Sequence, residues 1–237
     1  CTDSNQPGSM NSKQFAIGEI DPGSGSWYGP VTTQVLDAGD GATIPVAAAA
    51  VQRGELIILP TDTVYGIGTN AFDEGAIRRL FAAKQRDCDK GIPVLIADTA
   101  DLEQIATDIP LMARRLIARF WPGPLTLVLS KREILPPSLS LTDEVAVRMP
   151  DHDVCREIIR AAGGAIAATS ANLSGRAPAQ LINEALKDLA GSVTIAVDDG
   201  PSGGQMASTV VEVSRESLRI LRPGPLSLEV LMQGVRP

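Results

Sequence analysis

The chain has 237 residues, 44% of them hydrophobic, enough to build one sizeable core. Lys and Arg number 21 against 28 Asp and Glu, and the charge of −7 lacks the basic excess of a protein that grips a nucleic-acid backbone, so strong direct nucleic-acid binding is not expected. No run approaches the roughly 20 apolar residues that span a bilayer, the N-terminus lacks the basic-then-apolar order of a signal peptide, and a soluble, cytoplasmic protein is expected.

Residues 1–40 are rich in Gly, Ser, Asp and Pro with few periodic apolar positions, which predicts a flexible tail ahead of a folded domain over 41–237. Gly8-Ser9-Met10 reads either as a cloning remnant before an initiator methionine or as part of a trimmed precursor beginning at Cys1. From Ile44 the patterns alternate. A helix is expected over 45–53, stopped by Gly54, then a buried strand over 56–59 ending at Pro60. Asp73 suits the N-cap of a helix whose Ile77, Leu80 and Phe81 form one apolar stripe. A strand over 93–96 and helices over 100–107 and 110–120 follow, the last broken by Trp121-Pro122-Gly123-Pro124.

Strands are expected over 125–129 and 145–147, a helix over 153–162, a strand over 165–168 and a helix over 179–189. Three more strands, 193–197, 208–213 and 218–221, close the chain. Several strands meet without a helix between them, so the sheet of this α/β domain is mixed.

Three scattered cysteines, Cys1, Cys88 and Cys155, suit neither a disulfide framework nor a CxxC metal site. His152 is the single histidine, which excludes an HExxH site and any multi-histidine cage; it reads as a side chain near a helix start. Any metal is therefore held by oxygen ligands and phosphate.

Five groups carry candidate chemistry. If residues 60–66 stay extended, Thr61, Thr63 and Tyr65 project on one side and offer three hydroxyls to a small polar substrate; the alternative is an ordinary polar turn. Gly66-Ile67-Gly68-Thr69-Asn70-Ala71 matches GxGxxA but lacks the uninterrupted strand of a dinucleotide fingerprint, and a P-loop is absent, so a bound nucleotide would be held by scattered side chains. Lys84 falls on the buried stripe with Leu80 and Phe81 and needs an anionic partner there. If the helix ends nearby, Lys84, Arg86 and Lys90 converge on one anion. Period-2 alternation puts Ser170 and Asn172 on one side, toward a phosphate or base, or else the segment is a turn leading to Gly175. Arg148 and Arg222 each end a strand before a proline and can reach one crevice, with Ser208-Thr209 adding hydroxyls.

PTDTVYG at 60–66, KxR at 84–86, WPGPLT at 121–126, VAVRMP at 145–150, TSANLSG at 169–175, STV at 208–210 and LRPG at 221–224 together resemble the YrdC-like threonylcarbamoyl-adenylate synthase family, in order and spacing, over about Ile44 to Gly224. The resemblance implies a single α/β domain with a twisted mixed parallel and antiparallel sheet around a basic cavity. It implies a nucleotidyltransferase that makes threonylcarbamoyl-AMP and pyrophosphate from L-threonine, bicarbonate or CO2 and ATP, with Mg2+, for the t6A37 modification of tRNA. Transferase proteins acting on tRNA would be the downstream partners. Carried over, it points to Lys84 and Arg86 as catalytic phosphate ligands with Lys90 beside them, and to Ser170 and Asn172 for nucleotide. Thr63 and Arg148 would serve threonine, and Ser208 with Arg222 would lie near nucleotide or substrate. Asp87, Thr169 and Pro178-Ala179-Gln180 depart from the family pattern around the ATP loop, and the stretch Val94 to Asp98 lacks a histidine that some members place there. Ending soon after LRPG, the chain resembles the short, single-domain form. An RNA-binding or ribosome-assembly factor would instead bind RNA without ATP turnover, and a carbamoyl-phosphate-using domain would consume that substrate.

Overall fold

Short apolar runs bounded by Gly, Pro and polar turns give strands too brief to stand alone, and they are stable here because they share one sheet. The computed structural model describes residues 31–87, 89–204, 206–214 and 217–235, with the backbone of Gln14–Phe15. Its elements are β1 (Gln14–Phe15), β2 (Thr33–Asp37), α1 (Thr43–Gln52), β3 (Ile57–Leu59), β4 (Gly66–Asn70), α2 (Glu74–Lys84), β5 (Val94–Ile96), α3 (Leu102–Ile105), β6 (Ala106–Thr107) and α4 (Leu111–Phe120). Then come β7 (Leu125–Lys131), β8 (Glu144–Arg148), α5 (Asp153–Ala162), β9 (Ala165–Ser170), α6 (Ile182–Leu189), β10 (Ile195–Asp198), β11 (Thr209–Val213), β12 (Leu218–Arg222) and α7 (Leu228–Val235). No helix of the described residues is long and apolar enough to cross a membrane.

The twelve strands run in the order β1-β2-β10-β3-β4-β9-β5-β8-β7-β11-β12, with β6 pairing off β7. Four pairings are parallel, β10 with β2 and β3, β5 with β8, and β11 with β7, and the others are antiparallel. The sheet is the mixed one expected.

Alternation sorts the strand side chains into two helix layers. Ile57 and Leu59 of β3, Leu95 of β5, Ile166 of β9 and Val197 of β10 pack against α1 and α5. Ile58, Ile67, Val94 and Ile96 face the other layer, which α2, α4 and α6 supply. Leu125, Leu127, Val145, Val147 and Val211 also face that layer, and no residue of β7, β8 or β11 belongs to the α1–α5 cluster. The α1–α5 layer thus covers only part of its face, and the remainder is open.

Local chemistry fixes the helix ends. Asp73 accepts a hydrogen bond from the Ala76 amide at 3.0 Å, as its capping role predicts. His152 caps α5 through Nδ1, 3.4 Å from the Cys155 amide, and its Nε2 lies 3.1 Å from Asp199. Cys155 is buried, and burial pushes its thiol up to about 12. Cys1 and Cys88 lie outside the described residues.

Two expectations need correction. Residues 33–37, read as tail, are β2, paired in parallel with β10 and tied by the Thr33 hydroxyl, which donates to the Val193 carbonyl at 2.8 Å. Apart from Gln14–Phe15, residues 1–30 lie outside the described residues. The helix over 100–107 ends at Ile105, because Ala106 and Thr107 pair with Lys131 and Ser130. Gly66 to Asn70, where the sequence already spoke against a dinucleotide fingerprint, is strand β4, whose Gly68 sits so close to Ala167 and Ile166 that a methyl group would press on both.

Candidate active site

A cleft of about 520 Å³, its mouth included, opens where the α1–α5 layer stops, over Leu95 and Ala168. The loop after β3, the end of β9, Thr126 of β7, Arg148 of β8, Ser208 and Arg222 wall it. Ligands favour such strand ends because the backbone there leaves the core with polar groups free.

The segment 60–65 is a turn, the second of the two alternatives its sequence offers, and is not extended. Thr61 Oγ1 donates to the Val64 carbonyl at 2.6 Å and accepts from the amides of Thr63 and Val64 at 3.2 and 3.3 Å, so its hydroxyl closes the turn. Tyr65 points its hydroxyl away to the corner after β10, donating to the Gly200 carbonyl at 2.6 Å and accepting from the Asp199 amide at 3.1 Å. Burial pushes this phenol up to about 12 and keeps it protonated. Both residues line the cleft, but of the three hydroxyls it is Thr63 that meets a cationic group.

That group is Arg148, 6% exposed. Its Nε donates to the Gly123 carbonyl at 3.0 Å, Nη1 donates to Thr63 Oγ1 at 2.8 Å, and Nη2 is paired with the Asp62 carboxylate. The WPGP turn therefore supplies an acceptor, with Gly123 at φ +158 against the Phe120 carbonyl. Asp62 escaped the sequence reading, although an acidic residue between two threonines at a strand exit is a usable signal. Guanidinium carries five N–H groups. Three are engaged here, which leaves one on each terminal nitrogen for a planar anion.

Arg222 donates through Nη2 to the Ser208 carbonyl at 2.8 Å and to Ser208 Oγ at 3.1 Å. Ser208 Oγ is 2.7 Å from Thr126 Oγ1, a second residue the sequence reading missed because it lies mid-strand. Burial lowers the proton affinity of Arg222, and the charges of Arg148 and Arg86 lower it further. No carboxylate of the described residues forms an ion pair with Arg222, so this end of the cleft favours an anion.

Gly224 of the LRPG run lets the chain pass over Ser208 and Thr209; a Cβ there would fall 2.6 Å from the Ser208 carbonyl carbon and closer still to the Thr209 amide. Gly224→Ala should lower stability by about 1–3 kcal/mol or more, since backbone must move and not a side chain. Thermal melting checks it; an unchanged midpoint would show that the loop yields freely.

Lys84, Arg86 and Lys90 each meet different partners within the chain. Lys84 is 2% exposed and donates to the carbonyls of Ser170 and Asn172. Burial lowers its ammonium to about 8, and the Arg86 charge adds to that. Arg86 braces its own loop through the carbonyls of Lys90 and Gly91 at 2.9 and 3.0 Å. Lys90 is exposed, 3.8 Å from Asp87. Ser170 and Asn172 do not share a side either, because the chain turns at Ala171. Ser170 lines the cleft, while Asn172 lines a neighbouring hollow with Pro178 and Glu184. The Asn172 amide donates to the carbonyls of Leu173 and Arg176 at 2.8 and 2.9 Å.

Comparison with known proteins agrees with this architecture. The family model Sua5/YciO/YrdC, described as "Telomere recombination", matches residues 49–224. Threonylcarbamoyl-AMP synthase of Pyrococcus abyssi is 41% identical over 187 residues, covering 78% of this chain and 55% of its own length. The Bacillus subtilis protein of the same name is 38% identical over 213 residues, covering 89% and 61%. The chain thus spans between half and two thirds of these relatives. The crystal structure of P. abyssi Sua5 complexed with L-threonine superposes with a TM-score of 0.82 at 38% identity, over 84% of this chain and 60% of that one. Escherichia coli YciO, at 21% identity and a TM-score of 0.76, shares the fold. With a family model matching residues 49–224 and relatives 38–41% identical, the chain belongs to the Sua5/YciO/YrdC family.

Proposed function

We propose that this chain joins L-threonine, bicarbonate or CO2, and ATP into threonylcarbamoyl-AMP, releasing pyrophosphate, as the entry to t6A37 modification of tRNA. One observation carries the reading: Arg148 and Arg222 open on the same cleft in a chain 41% identical to P. abyssi threonylcarbamoyl-AMP synthase. The threonine amine and CO2 form a carbamate, whose oxygen attacks the α-phosphorus of ATP as pyrophosphate leaves. Arg148 offers its two remaining N–H groups to the threonine carboxylate, with Thr63 beside it. Arg222, Ser208 and Thr126 face the phosphates, with Arg86 contributing charge, and Ser170 faces the nucleoside side while Asn172 braces the turn behind it. Catalysis here is orientation plus stabilisation of spreading negative charge, which asks for fixed cations and no covalent intermediate.

Among the described residues no three His, Cys, Asp or Glu side chains gather as a metal site. Mg2+ in this reading enters with ATP and takes its ligands from phosphate oxygens and water. We also place the protein in the cytoplasm, with a catalytic domain that includes β2 and hands its product to transferase proteins acting on tRNA.

Incubating the chain with ATP, L-threonine and bicarbonate should release pyrophosphate, and omitting any one of the three should stop it. Pyrophosphate release indifferent to threonine would overturn the reading.

A further inference from the structure

Tyr65 is fully buried, and a phenol taken out of water needs partners for its hydroxyl. It finds them at the corner after β10, where the hydroxyl donates to the Gly200 carbonyl and accepts from the Asp199 amide, so one side chain holds two successive backbone groups. The corner is shaped for this. Asp198 Oδ1 accepts from the Gly200 amide at 3.0 Å, and Gly200 takes φ +73, which glycine adopts without strain. A second tie comes from α5: His152 Nδ1 is spent as the acceptor of the helix cap, which leaves Nε2–H to meet the Asp199 carboxylate at 3.1 Å.

From this corner the chain runs back over the turn 60–65. The Ser202 amide donates to the Gln180 carbonyl at 2.8 Å, and Gly204 lies against Thr63, where a Cβ would fall 2.6 Å from the Thr63 carbonyl oxygen and 2.7 Å from its Cα. Residues 199–204 thus form a strap. Tyr65 and His152 fasten one end, and the other rests on the residue whose hydroxyl accepts from Arg148. Ser208, further along, has anchors of its own in Thr126 and Arg222, and the Thr209 amide is tied to the Pro124 carbonyl at 2.9 Å, so that end of the cleft does not depend on the strap.

We infer that Tyr65 is a positioning residue: its hydroxyl pins the strap that seats Thr63, and through Thr63 it sets the Arg148 fork at the threonine end of the cleft. The inference rests on the proposed function only for what Thr63 and Arg148 bind; the strap itself is a property of the free protein. A positioning role and a purely stabilising one separate in the kinetics. Losing a hydroxyl that only stabilises the fold lowers the melting temperature and moves both substrates alike or neither, whereas loosening a strap over Thr63 moves threonine alone.

The test uses the full chain. Tyr65→Phe keeps the ring and removes only the hydroxyl; it should raise the KM for threonine about tenfold, the order expected when a binding group shifts by part of an ångström, while ATP affinity measured calorimetrically without threonine stays within about threefold. Gly204→Ala, which presses a methyl group on the Thr63 carbonyl, should show the same split. Without ligands, Tyr65→Phe should speed amide exchange at Asp199 and Thr63 and leave Thr209 unchanged. A threonine KM within about twofold of wild type in Tyr65→Phe, or an ATP affinity that falls as far as the threonine KM rises, would overturn the inference. Exchange unchanged at Thr63, or raised equally at Thr209, would overturn it as well. If one variant does not fold, the other still decides. If the wild type neither binds ATP nor turns over with threonine, the proposed function fails and exchange at Thr63 still judges the strap.

Discussion

Arg148→Lys should raise the KM for threonine by about 10²-fold while ATP affinity, measured alone, stays within about threefold. The guanidinium makes three bonds in three directions, to Asp62, Thr63 and the Gly123 carbonyl, and retains one N–H on each terminal nitrogen. An ammonium keeps the charge but has only three donors, and Asp62 with the two neutral acceptors already occupies them. Nothing would then remain to grip a carboxylate with two parallel bonds. Arg148→Ala should be worse, because it strips the partner from Asp62, whose side chain is 15% exposed. Breaking such a pair costs about 3–5 kcal/mol, a large share of a typical domain's stability. Steady-state kinetics for the lysine variant and thermal melting for the alanine variant check the two effects. Collapse of ATP affinity with unchanged threonine saturation would move Arg148 to the phosphate side of the cleft.

Deleting residues 1–40 should leave little soluble, cooperatively melting protein. The deletion removes β2, which pairs along four residues of β10, and Val35 and Leu36, which reach opposite helix layers. Two ties go with it, a buried one from the Thr33 hydroxyl to the Val193 carbonyl and a half-buried one from the Thr43 hydroxyl to the Asp37 carbonyl at 2.6 Å. Loss of a strand that contributes to both cores is comparable with the whole folding free energy of about 5–15 kcal/mol. Yield and melting curve report the outcome; a truncated chain that melts within a few degrees of the full one would show β2 to be dispensable.

What the sequence disclosed follows the range of the interactions involved. α5 occupies 153–162 as its periodicity predicts, and β9 begins at Ala165, because both read out of local pattern. β2 escaped because Thr33-Gln34-Val35-Leu36-Asp37 is a brief apolar patch between polar neighbours, and its partner β10 lies some 160 positions later. At the site, the buried stripe correctly put Lys84 inside, but a lysine's need for oxygen acceptors is met as well by carbonyls as by an anion. The alternation argument for Thr61 to Tyr65 and for Ser170 to Asn172 failed for one reason. Each segment turns where a hydroxyl or carbonyl bonds its own neighbours, and period-2 logic holds only while a strand continues. Asp62 and Thr126 acquire meaning only from their partners Arg148 and Ser208, which lie about 80 residues away.

A ribosome releases β2 and β3 long before it reaches β10, the strand that lies between them. At an elongation rate of about 5–20 residues per second, the roughly 140 residues from Leu59 to Asp198 take on the order of ten to thirty seconds. Throughout that interval the strand carrying Ile57 and Ile58 has an open edge, which is a template for pairing between unfinished chains on neighbouring ribosomes. Nascent copies on a crowded message therefore need shielding by a chaperone or by spacing, a need that ends for each copy when Ile195 to Asp198 slides into the gap.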